Sequence, residues 1–131
     1  MSLKPYKFLF REWRKRPAQW WHHKALSPRD QRVVLMAGFQ RSGTNMLMKV
    51  LDQHRLTTVY HEADPRVFDD YSLRDNARLT RHVASAKGSL VVIKTLLDIH
   101  RYRELNELAI TTTGAAPIIL WPLRNLNDCV N

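Results

Sequence analysis

The apolar positions of the chain change period near residue 33. Before it, Tyr6, Leu9, Phe10 and Trp13 recur at helical spacing with basic residues on the other face, and Pro5 suits the first turn of such a helix. Pro17 is expected to end or kink it, and Leu26 to Asp30 reads as a turn. After it come four short, continuous apolar runs at 33–39, 57–62, 89–96 and 117–124, the pattern of strands buried on both faces. Between them, residues 42–54 carry Met46, Leu47, Val50 and Leu51 at helical spacing. The stretch 64–75 is loop-like, 74–88 suits a helix closed by Gly88, 98–110 reads as a helix and 111–117 as a linker. The alternation predicts an α/β fold, three-layer α/β/α with a central parallel sheet.

Composition narrows the class. The 131 residues are 44% hydrophobic and 25% charged, which is the balance of one globular domain rather than a disordered chain. No apolar run approaches the roughly 18 residues of a membrane span, and no apolar leader follows the first residues. A single cysteine, Cys129, excludes a disulfide scaffold and a cysteine-based metal cluster, so a reducing, cytoplasmic location is expected. The net charge of +9 is concentrated at one end: residues 1–32 hold nine Lys and Arg against Glu12 and Asp30, a net of +7. The chain therefore divides into a basic, tryptophan-bearing helical arm (1–32) and an α/β domain (33–131). The arm admits three readings: peripheral contact with a membrane surface, contact with an anionic acceptor or nucleic acid, or packing of Trp13, Trp20 and Trp21 onto the domain with the charges in solvent. The last is the simplest and is the expectation here, and no nucleic-acid partner is expected.

The most informative stretch follows the first apolar run. Gly38 and Gly43 flank Phe39, Gln40, Arg41 and Ser42 between a strand and a helix. This is the frame of a phosphate cradle, in which glycines admit the anion and helix-start N–H groups point at it. A nucleotide kinase or ATPase would continue with Lys and then Ser or Thr; Thr44 and Asn45 follow instead, and the positive charge sits inside the loop as Arg41. The pattern suits a phosphate or phosphosulfate bound without a metal ion.

With these residues the chain resembles the sulfotransferases that use 3′-phosphoadenosine 5′-phosphosulfate (PAPS). Arg41, Ser42, Gly43 and Thr44 match the family's Lys/Arg-Ser-Gly-Thr loop for the 5′-phosphosulfate, while Asn45 and Met46 depart from the Thr-Trp of many cytosolic members. Arg124, Asn125 and Asp128 match the second signature, whose arginine and serine bind the 3′-phosphate, with Leu126 where proline is usual. The serine would be residue 132, so the chain reads as a truncated N-terminal portion, incomplete at its C-terminal side. Lys94 and Thr95 match a third, weaker signature, but Leu96 stands where many members carry a catalytic histidine.

The resemblance implies a P-loop-like sheet in spatial order 2-3-1-4, with the last strand at an edge. It also implies transfer of a sulfuryl group from PAPS to an acceptor hydroxyl or amine whose class is open. Arg41, Ser42, Gly43, Thr44 and Asn45 would bind the 5′-phosphosulfate, and Arg124 the 3′-phosphate. Arg41 and Lys94 would stabilise the transferring group, and Glu62 is the choice of general base, with His61, Asp98 and His100 in reserve. The bland alternative for Glu62 is an N-cap or a salt bridge to Arg66. No metal is required. Two other readings compete: a P-loop nucleotide kinase or NTPase, and an inactive fragment that acts as a basic binding module.

Overall fold

The computed structural model describes residues 4–25, 30–38, 42–95 and 98–123. Helix α1 (Lys4–Ala25) leads into β1 (Arg32–Met36), α2 (Thr44–Gln53) and β2 (Thr57–Tyr60). A short antiparallel hairpin, β3 (Phe68–Asp69) and β4 (Ser72–Leu73), precedes α3 (Asn76–Ser85) and β5 (Leu90–Lys94). A 3-10 turn (Ile99–Arg101), α4 (Tyr102–Thr113) and β6 (Ile118–Leu120) complete the order.

Four strands form one parallel sheet in the order β2-β5-β1-β6, which is the expected 2-3-1-4 arrangement of the four apolar runs. Alternate residues of these strands feed two cores. Val33, Leu35, Val91 and Ile93 pack with Leu79 and Val83 of α3, Leu105 and Leu108 of α4, and Val67, Phe68 and Leu73 around the hairpin. Val34, Met36, Val59 and Val92 pack with Met48 on the opposite face, where Leu47 and Leu51 of α2 lie against them. The continuous apolar runs thus follow from burial on both faces, and the chain is an α/β protein with a parallel sheet flanked by helices.

Several expectations are corrected. The inward stripe of α2 is Thr44, Leu47, Met48 and Leu51; Met46 and Val50 point to solvent. Four apolar residues at helical spacing did not distinguish the two sides of that stripe. Helix α3 ends at Ser85, before Gly88, and Gly88 serves a close approach instead: a Cβ there would lie 2.3 Å from the Leu56 carbonyl oxygen. Helix α4 continues through Thr111–Thr113, where a linker was expected. The hydroxyls of Thr112 and Thr113 return to the carbonyls of Leu108 and Ala109, and Gly114, at φ 75°, closes the helix. The loop-like stretch 64–75 holds the β3–β4 hairpin, turned by Asp70 and Tyr71 at positive φ. Pro17 lies within α1, which runs on to Ala25.

The largest correction concerns the arm. Helix α1 meets the domain with polar side chains. Arg11 and Lys15 share Asp52 of α2, Lys15 Nζ donates to the Thr57 carbonyl at 2.9 Å, and Gln19 Nε2 donates to the Arg55 carbonyl at 3.1 Å. Glu12 pairs with Arg66. Of these donors, Lys15 reaches a carbonyl of β2, the edge strand of the sheet. Trp13, Trp20 and Trp21, expected to pack inward, are exposed. At the other edge, β6 carries Ile118 and Ile119 exposed, followed by exposed Trp121 and Leu123.

Candidate functional site

The carboxyl ends of β1, β2 and β5 lie side by side, because the parallel register pairs Met36 with Lys94 and Tyr60 with Ile93. In a parallel sheet this is the edge where ligand-binding loops gather. Residues of three separate chain segments converge there on one ammonium group.

Lys94, the last residue of β5, is only 2% exposed. Its Nζ donates to Asn45 Oδ1 at 2.8 Å and to Glu62 Oε1 at 2.9 Å. Asn45 sits in the first turn of α2, and Glu62 two residues beyond β2. Burying an ammonium is costly unless it is paired and hydrogen-bonded, and here a carboxylate and an amide oxygen supply the partners. Glu62 keeps a path to water, its side chain being 31% exposed. The expected alternative partner, Arg66, is occupied elsewhere: its Nε donates to Asp64 at 2.9 Å, its remaining nitrogens pair with Asp64 and Glu12, and its guanidinium lies over the Tyr60 ring. Burial raises the Tyr60 phenol well above its ordinary range.

The glycine-flanked loop borders this cluster. β1 is locked on both sides at its end: Thr95 N–H donates to the Met36 carbonyl, and Ala37 N–H to that of Leu120, each at 2.9 Å. Gly38 follows at φ 134°, where a Cβ would sit 3.3 Å from Ser42 Oγ and 3.5 Å from the Pro122 carbonyl oxygen. Both ends of the loop and the segment after β6 therefore meet at one point. Gly43 adopts a left-handed conformation (φ 90°, ψ 9°) and opens α2 with no side-chain cap on the first N–H groups. Ser42 and Thr44 are buried in this junction. Arg41 and Arg124, two of the expected anion ligands, lie outside the described residues, as do Asn125, Asp128 and Leu96.

The reserve bases have other duties. Asp98 is buried and its Oδ2 accepts the Leu73 N–H at 2.9 Å, tying the hairpin to the turn after β5. His61 lines the seam between α1 and β2 with Arg11 and Asp52. Burial, then Arg11, lowers its pKa below the ordinary 6.5. His100 is on the surface. Among the described residues, no group of three or more His, Cys, Asp or Glu is placed to hold a metal ion, and no helix is long and apolar enough to cross a membrane.

Asp52 and its partners were not anticipated. Arg11, Lys15 and Gln19 recur every four residues and mark one polar face of α1, a signal present in the sequence. The apolar positions of the same helix form the more conspicuous pattern. Comparison of the chain with protein-family models, with curated proteins and with solved structures finds no match.

Proposed function

We propose that the chain carries the nucleotide-binding core of a sulfotransferase that takes the sulfuryl group from PAPS. The observation that carries this reading is the seating of Lys94 between Asn45 and Glu62 at the rim of the 38–44 loop. A cation, an uncapped helix start and a carboxylate stand together at the ligand-binding edge of a parallel sheet. The strand order, shared with P-loop proteins, supports a P-loop-like origin.

In this reading the N–H groups at the start of α2, the Ser42 and Thr44 region and Arg41 hold the 5′-phosphosulfate, and Arg124 holds the 3′-phosphate. The S–O bond to the donor phosphate breaks as the acceptor oxygen or nitrogen bonds to sulfur in line. The acceptor's proton passes to Glu62, and the charge left on the phosphate is met by Arg41. Lys94 shifts its contact from Glu62 to the sulfuryl oxygens, which frees the carboxylate to act as base. A kinase or NTPase reading lacks support, because Thr44 and Asn45 occupy the positions of the phosphate-reaching lysine and the Mg²⁺-binding hydroxyl.

Calorimetric titration with 3′-phosphoadenosine 5′-phosphate (PAP), with and without Mg²⁺, tests the reading. Metal-independent binding that is lost in Arg41→Ala is the expected result. Binding of ATP only in the presence of Mg²⁺, with none of PAP, would overturn it in favour of the kinase reading.

A further inference from the structure

Helix α1 is amphipathic in an unusual sense: its polar face is the one that packs. Arg11, Glu12, Lys15 and Gln19 contact the domain, while Phe10 and Trp13 face solvent and Leu9, Trp20 and Trp21, also exposed, flank a groove shared with Tyr60 and His82. At 100° per residue, Leu9, Phe10, Trp13, Pro17, Trp20 and Trp21 fall within an arc of about 120°. Phe10, Trp13 and Trp21 are 61%, 63% and 69% exposed. The rings associate along the helix, Phe10 stacked on Trp13 with centroids 6.3 Å apart and Trp20 edge-on to Trp21 at 5.2 Å.

The surroundings of this stripe are cationic. Arg14 and Arg16, both exposed, border it. On one side it runs into a groove of about 720 Å³ between α1 and α2, lined by Arg11, Arg14, Lys15, Lys49 and Arg55 around the single carboxylate of Asp52. Pro17 and Ala18 form the wall shared with the helix. Tryptophan and phenylalanine at the centre, with arginine and lysine at the rim, match a lipid surface whose acyl boundary is apolar and whose headgroups are anionic. A nucleic-acid surface would place the cations at its centre.

We infer that α1 is a membrane-docking helix that lies in the plane of an anionic bilayer. The aromatic stripe enters the headgroup boundary, and Arg14, Arg16, Lys49 and Arg55 meet the lipid phosphates. The helix lies on the bilayer rather than spanning it. This orientation leaves the polar face of α1 on the domain, so docking needs no unfolding of the arm.

Co-sedimentation of the full chain with phosphatidylcholine vesicles, with and without about 30% phosphatidylserine, tests the inference, with tryptophan emission as second readout. Partitioning at least about tenfold stronger on the anionic vesicles, with a blue shift, is expected. The double variant Trp13→Ser/Trp21→Ser alters only exposed side chains and should lose about tenfold in partitioning while keeping its circular dichroism. Arg14→Glu/Arg16→Glu should lose the preference for phosphatidylserine. Absence of partitioning overturns the inference. So does binding that Trp13→Ser/Trp21→Ser leaves unchanged, or a dimer of this chain in light scattering that Trp13→Ser/Trp21→Ser dissociates.

Discussion

Lys94 Nζ and Glu62 Oε1 lie 2.9 Å apart, joining the end of β5 to the segment after β2, with the lysine buried and the glutamate still open to water. The two partners are therefore unequal. Without Glu62 an ammonium is left in the interior on Asn45 alone, whereas without Lys94 the carboxylate can hydrate. Glu62→Ala is expected to cost roughly 1–3 kcal/mol of stability, and Lys94→Met less. Their double variant should cost less than the sum. Urea unfolding of the four proteins measures this, and a larger loss for Lys94→Met than for Glu62→Ala would contradict it.

Acid should weaken the fold through its histidines. Burial lowers His61, with Arg11 acting in the same direction, and burial followed by Arg66 lowers His82. The folded state therefore favours neutral imidazoles, while the unfolded chain takes up protons as pH falls through about 6.5. Stability is expected to be full above that value, to fall as pH drops below it, and to level off once the folded imidazoles are protonated. His61→Gln should flatten the dependence between about pH 7.5 and pH 5.5 in a denaturation series. An unchanged slope would assign the effect to other groups.

Gly88 stands where the chain turns into β5 against the Leu56 carbonyl, and the clash for any Cβ is with backbone. Gly88→Ala is expected to cost roughly 1–3 kcal/mol or more by displacing the β2–β5 junction. Gly43→Ala meets no neighbour but is strained by its φ of 90°, so it should cost less stability. The comparison of their melting temperatures separates a steric requirement from a conformational one.

The reading from sequence succeeded where burial imposes a simple period. The runs around Val34, Val59, Val92 and Ile119 became the four parallel strands in the anticipated order. The cluster is partly legible in the sequence, since Asn45, Glu62 and Lys94 each follow an apolar run in a motif-like setting. Their meeting at one ammonium depends on the register of β1 and β5, which no local pattern encodes. The arm misled because apolar periodicity identifies the apolar face of a helix without saying what it faces. Its contacts are made by Arg11, Lys15 and Gln19 through carboxylate and carbonyl partners on other segments. Gly88 misled for a similar reason: a glycine after a helix can end it or admit a neighbouring strand, and only the position of Leu56 decides.

The β6 edge exposes Ile118 and Ile119 beside unpaired strand backbone among the described residues. Such an edge templates association. The chain is expected to associate with rising concentration, and Ile118→Lys should suppress this with little change in stability. Light scattering across a concentration series checks the effect. Equal association in the variant would place the contact elsewhere.

Under the proposed function, the carboxyl edge of β1 and β5 binds the nucleotide of PAPS. This binding is tested most directly by amide chemical-shift mapping during titration with PAP in the absence of divalent metal. The expected result is a saturable set of shifts confined to Gly38, residues 42–46, Glu62 and residues 94–95, and lost in Arg41→Ala. Shifts that fall instead on α1, or no shifts at millimolar nucleotide, would contradict the account.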